Sequence, residues 1–191
     1  MAKEQCEQCN EMTPRWDIVH FASGNGGREM LCSSCFNARI AEFIGATGFK
    51  SLKFTPIRMV DCNGGSHEFH FQIRLLGKEV ALNAFELCGD RPAGYRFQLI
   101  GEYCDDVFEL SGRLIERIRR ALHLRHVDFL QGYIINRTLR GRIERDESQQ
   151  GRLPIVVIDG REVSWNNLGQ MLVNMEGYQF RLDIVDLSEE C

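Results

Sequence analysis

A chain of 191 residues with 43% hydrophobic and 26% charged side chains has the balance of a folded globular protein, which excludes a disordered or low-complexity one. No run of about 18 apolar residues occurs and the polar start carries no signal peptide, so no membrane span is expected and the cytoplasm is the expected compartment. The net charge of −4 is uneven, because residues 113–145 hold nine Arg against three acidic residues while residues 146–191 hold three basic against nine acidic, so the two segments either complement each other or the Arg-rich one meets an anionic partner.

In chain order, Cys6-Glu-Gln-Cys9 is followed by a predicted strand over Trp16–Phe21, a glycine-rich turn at Ser23–Gly27 and a returning strand at Arg28–Leu31. Cys32-Ser-Ser-Cys35 then opens a helix with Ile40, Phe43 and Ile44 on one face, closed by Gly45 and Gly48. Past Lys50 the period drops to two. Ser51–Val60 suggests a strand. Phe69, Phe71, Ile73 and Leu75 alternate with His70, Gln72 and Arg74 as a half-buried strand, and Lys78–Leu87 and Tyr95–Tyr103 follow after turns at Gly77 and Gly89–Gly94. Such short connections favour an antiparallel meander.

Asp105–Leu124 is the clearest helix, with Val107, Leu110, Leu114, Ile118 and Ala121 at helical spacing and Phe108, Ile115 and Leu122 widening the stripe. Tyr133–Arg145 alternates as a long strand. Asp159-Gly160 between Leu153–Ile158 and Glu162–Ser164 marks a two-residue hairpin. Ser164 suits the N-cap of a short helix reaching about Glu176, with Leu168, Leu172 and Met175 inward and Gly177 as its end. Tyr178–Val185 reads as a final strand.

The two Cys-x-x-Cys pairs carry the most specific chemistry. Each knuckle turns both sulfurs toward one point, and four thiolates in two close pairs make a tetrahedral zinc site with metal–sulfur distances of about 2.3 Å. Protein ligands at all four positions close the site, so one structural Zn2+ on Cys6, Cys9, Cys32 and Cys35 is expected. A redox dithiol at Cys32/Cys35 is the competing reading, and no βαβ pattern surrounds it. The other cysteines, Cys62, Cys88, Cys104 and Cys191, read as buried thiols. His67 and His70, three apart on a strand, face opposite ways and do not share an ion.

A knuckle, a hairpin, then a second knuckle at a helix start is the treble-clef arrangement. With Cys6-x2-Cys9 and Leu31-Cys-Ser-Ser-Cys35 leading into Phe36–Ile44, this segment resembles the amino-terminal zinc domain of the Clp protease unfoldase. The resemblance implies a module that dimerises and docks adaptors or substrates. The unfoldase's ATPase does not follow, since no G-x-x-x-x-G-K-[ST] loop occurs in the chain.

The expected fold is α+β, with a treble-clef zinc module at 1–49 and, at 50–191, a domain with an antiparallel or mixed sheet, one long helix and one short one. The expected function is non-catalytic binding or regulation, in which the zinc module mediates self-association or docks a protein partner. An alternative is nucleic-acid binding through the basic surface Arg113–Arg145, with Arg113, Arg117, Arg120, Arg140 and Arg142 as contacts. A third reading is an enzyme in 50–191. Glu68, Glu86 and Glu102 are the acidic residues a sheet could gather there, although no catalytic motif marks that segment.

Overall fold

A computed structural model describes residues 2–22, 27–46, 48–49, 51–146 and 151–189. Strands β1 (Lys3–Gln5) and β2 (Met12–Pro14) pair antiparallel, with the first cysteine pair in the loop between them. A 3-10 turn at Arg15–Asp17 leads into β3 (Ile18–Ala22), which pairs antiparallel with β4 (Arg28–Cys32) from Ile18 opposite Cys32 to Ala22 opposite Arg28. Of the expected turn at 23–27, residues 23–26 lie outside the described residues. Helix α1 (Ser33–Ile44) begins directly on Cys32 and ends on Gly45, whose φ of 66° is the left-handed value a helix end favours in glycine. Its expected inner residue Phe43 is 87% exposed, and Asn37 is the residue that is fully buried.

The second unit is the expected meander. Strands β5 (Ile57–Val60), β6 (Ser66–Leu76), β7 (Glu79–Cys88) and β8 (Arg91–Glu102) lie side by side in sequence order, all antiparallel. The strand expected from Ser51 begins only at Ile57, and the turn expected over Gly89–Gly94 tightens to Gly89-Asp90, with Arg91 already opposite Cys88. Gly94 sits instead in a bulge of β8, at φ 54°. Helix α2 (Val107–Leu122), capped by the Asp106 carboxylate accepting from the Phe108 N–H at 2.8 Å, lays Leu110, Leu114, Ile118 and Leu122 on Phe69, Phe71, Ile73, Val80, Leu82, Phe97 and Leu99. Phe108 does not widen this stripe; it is exposed at the first turn.

The expectation of a half-buried β6 fails, because Phe69 through Ile73 are all buried. The face away from α2 is covered by the cysteine-bearing unit. Trp16 sets its ring edge-on to His70 and Phe85 at 5.5 and 5.4 Å, and the Gln72 amide donates to the Trp16 carbonyl at 3.0 Å. Asn37 fastens the unit most firmly. Its Nδ2 donates to the Ile73 carbonyl at 2.9 Å, and its Oδ1 accepts from the Leu75 N–H at 2.8 Å. Strand β5 pairs only with Ser66–Phe69, so the amide occupies the part of the β6 edge that β5 does not reach and stands in for a neighbouring peptide.

The third unit holds β9 (Val127–Asp128) paired with β10 (Tyr133–Ile134), and β11 (Arg142–Arg145), β12 (Pro154–Ile158) and β13 (Arg161–Ser164) as an antiparallel sheet, followed by α3 (Trp165–Val173). The strand expected over Tyr133–Arg145 is broken, since Asn136 and Arg137 adopt φ values of 53° and 56° in succession, which no strand accommodates. The Asp159-Gly160 hairpin forms as read, with both residues at positive φ. Ser164 caps α3 by accepting from Asn167 N–H at 3.2 Å, but the helix ends on Asn174 rather than Gly177, and Leu172 is exposed while Leu168 is buried. Tyr178–Val185 belongs to no sheet among the described residues, so the expected final strand does not form. The fold class is α+β, and no described helix is long and apolar enough to cross a membrane.

Replacing Asn37 by Leu keeps side-chain bulk and strands the Leu75 N–H and the Ile73 carbonyl, each worth about 1–3 kcal/mol when buried without a partner. Urea unfolding of Asn37→Leu is expected to show a loss of about 2–4 kcal/mol, against a change within about 0.5 kcal/mol for Phe43→Ser.

Candidate metal centre and the arginine groove

The four sulfurs of Cys6, Cys9, Cys32 and Cys35 all lie within 4.8 Å of one another, with Cys9 and Cys32 at 3.9 Å. Sulfurs at the corners of a tetrahedron about 2.3 Å from a central metal stand about 3.8 Å apart, so the cluster has the dimensions of a filled site. Local structure explains the convergence. In the first knuckle the Cys6 N–H donates to the Glu11 carbonyl and the Asn10 N–H to the Cys6 carbonyl, with Asn10 in the left-handed region at φ 61°. The Glu7 N–H donates to the Met30 carbonyl at 2.9 Å, tying this knuckle to β4, and the Cys32 N–H points at the Cys6 sulfur at 3.2 Å. Cys32 and Cys35 are held by the start of α1, where the free N–H groups and the helix dipole favour negative charge.

The thiols differ in how readily they ionise. Burial raises Cys6, but the N–H groups of Cys32, Cys9 and Gln8 around its sulfur outweigh that and hold it down to about 6. Burial pushes Cys32 and Cys35 up. By the closeness of their sulfurs the four cysteines could hold a metal ion. The remaining described cysteines depart from expectation: Cys62, Cys88 and Cys104 are exposed, not buried, and Cys191 lies outside the described residues.

The arginines gather more than the sequence suggested, and are largely engaged. Arg117, Arg120, Arg140 and Arg142 line one groove of about 320 Å3 between α2, β8 and the third unit, together with Arg96, His126 and Asp159. Arg113 is exposed on α2 and is not part of this lining. Arg117 donates to the carbonyls of Gln98 and Ser188, at 2.9 and 3.0 Å, and to that of Glu189. Arg142 donates to Glu144 at 2.8 Å and to the Gly94 carbonyl at 3.0 Å, and Arg96 also reaches Glu144, at 3.2 Å. Arg140 is exposed. Arg96 and His126 carried no signal in the sequence, since only the bulge and the hairpin bring them here.

Glu68, Glu86 and Glu102 are not gathered. Glu68 pairs with Arg58 at 2.8 Å, Glu102 accepts from the Cys104 thiol, and only Glu86 enters a polar cluster. There the His67 ring lies between Glu86 and Asp61, at 2.8 and 3.2 Å, with Tyr95 edge-on to it. Burial and the carboxylates of Asp159, Asp61 and Glu86 push the Tyr95 phenol far up. The adjoining cavity is about 50 Å3, well below the ~300 Å3 at which ligand pockets begin. As expected, His70 faces away from His67, against Trp16.

Family models described as domains of unknown function match the chain in three parts: DUF7685 at residues 5–47, DUF7686 at 50–123 and DUF7713 at 126–189. These bounds follow the three hydrophobic clusters, around Cys6 and Leu31, around β6–β8 with α2, and around Val127, Val156 and Ile158. None of the three descriptions names an activity or an unfoldase. No curated protein and no solved structure matches the chain.

Asp159 ties the hairpin tip of the third unit to the residues that open that unit. Its carboxylate accepts from the N–H groups of His126 and Val127, at 2.8 and 3.0 Å, and faces the His126 ring at 2.8 Å. Burial raises Asp159, but these hydrogen bonds outweigh it and hold the carboxyl below its ordinary value. Asn tolerates the left-handed turn position, so Asp159→Asn isolates the carboxylate. The variant is expected to lose about 1–3 kcal/mol at pH 7. The stabilisation is full above the unfolded carboxyl's pKa near 3.9 and disappears as pH falls through the lower folded value, so the stabilities of the two proteins should converge progressively as the pH is lowered below the unfolded value.

Proposed function

We propose that the chain is a binding or regulatory protein built around one structural Zn2+ held by Cys6, Cys9, Cys32 and Cys35 in a module of treble-clef type. The observation that carries the reading is that four protein sulfurs meet at one point, leaving no coordination position for a substrate. When bound, zinc supplies a fixed tetrahedral junction between the first knuckle and the start of α1. The outer side of that helix presents Phe43 at 87% exposure, a surface suited to docking a protein partner. No disulfide joins cysteines among the described residues, and Cys62, Cys88 and Cys104 lie outside the metal site as exposed thiols, which accords with a reducing compartment, the cytoplasm.

Elemental analysis of freshly reduced protein is expected to find one zinc per chain, and replacement by Co2+ to give a tetrahedral thiolate spectrum that added azide leaves unchanged. A spectrum that shifts with azide would reveal an open position and sink the structural assignment. Acidification is expected to release the metal, because protons compete for the same sulfurs.

The groove supports a second reading, contact with nucleic acid through Arg120 and Arg140 beside Arg117 and Arg142, with Arg113 exposed on α2 outside the groove. It predicts retention on heparin or single-stranded DNA that falls steeply with salt, and weakens on Arg140→Ala. Elution at the lowest salt tested would exclude it.

A further inference from the structure

Beyond α3 the chain from Tyr178 to Asp186 forms neither helix nor sheet, and every residue of it is exposed. Its sequence alternates as a strand does: Tyr178, Phe180, Leu182 and Ile184 stand 58, 90, 67 and 72% exposed, and Arg181 and Asp183, joined at 3.1 Å, hold the alternate positions. The segment is fixed at both ends. The Arg137 guanidinium lies over the Tyr178 ring at 4.8 Å, and Arg117 holds the carbonyls of Ser188 and Glu189. Among the described residues, no backbone hydrogen bond ties 179–185 to another segment. An anchored strand with bare edges and an apolar face is a template for pairing with another chain.

We infer that this segment pairs antiparallel with the same segment of a second copy, about a two-fold axis at Leu182. The sequence is self-complementary in that register. Leu182 faces Leu182, Phe180 faces Ile184, and Arg181 faces Asp183 in both directions, so apolar pairs fall on one face and two opposite-charge pairs on the other. A slip of two residues either way places Arg181 against Arg181 or Asp183 against Asp183, and a slip of one sets Arg181 against Leu182. The charge pattern therefore selects both the partner, a second copy, and the register. This surface is separate from the cysteine module, so the inference goes beyond the metal-based reading and fails or stands independently of it.

Sedimentation velocity of the full, metal-loaded chain over a concentration series tests it. The wild type is expected to show a monomer–dimer equilibrium and Leu182→Arg to be monomeric. Arg181→Asp and Asp183→Arg, each acting twice across the axis, should weaken the dimer about tenfold or more. The double exchange Arg181→Asp/Asp183→Arg restores opposite charges and should recover the wild-type affinity, and a mixture of the two single variants should form a heterodimer in preference to either homodimer. All substituted side chains are exposed, and circular dichroism matching the wild type checks that each variant folds. A wild type that stays monomeric at millimolar concentration, a Leu182→Arg dimer, or a double variant as weak as the single ones would overturn the inference.

Discussion

A buried amide holds the cysteine module to the rest of the molecule. Asn37 sits two residues beyond Cys35, so its direction is set by whatever fixes the first turn of α1. The sulfur cluster fixes that turn against the first knuckle. The amide then completes the β6 edge where β5 stops short. A side chain that satisfies a strand edge leaves little freedom in distance or angle, because both bonds fail together when the helix shifts. The module is thus a third layer over the sheet, with Trp16 and Gln72 filling the contact.

On the other side of the molecule the third unit approaches β8 through a glycine. A Cβ at Gly160 would lie 2.7 Å from Cδ2 of Tyr95, so the hairpin tip meets the ring only because that side chain is absent. The bulge at Gly94 turns Tyr95 and Arg96 toward the same junction. Much of the local positive charge is spent on internal acceptors: Arg117 on the carbonyls of the acidic carboxy-terminal stretch, Arg142 and Arg96 on Glu144. Arg117 thus meets the acid-rich segment through backbone oxygens, whereas His126 and Val127 meet it through the Asp159 carboxylate.

The features legible in the sequence are those set by local chemistry. The paired cysteines, the period-two run of β6, the α2 stripe and the Asp159-Gly160 turn each follow from spacing and backbone preference, and each formed. What was not legible depends on contacts between units. His70 and Gln72 look like solvent-facing strand residues until Trp16 covers them. Tyr133–Arg145 alternates convincingly, yet Asn136 and Arg137 turn left-handed and Leu139 instead packs on the third core. Asn37 did leave a trace, since it occupies the helical position in line with Ile40 and Ile44, where a polar residue asks for a partner. Cys62, Cys88 and Cys104 show the opposite failure, as a residue type that is usually buried occupies loops and strand ends at the surface.

The Asp159 carboxylate also governs how the molecule comes apart. It closes a hairpin tip on His126 and Val127, the residues that open the third unit. Opening of the hairpin tip must then break its bonds to the backbone that leads into β9. Within the third unit the hairpin tip and β9 are therefore expected to open together in hydrogen exchange and proteolysis, as one block.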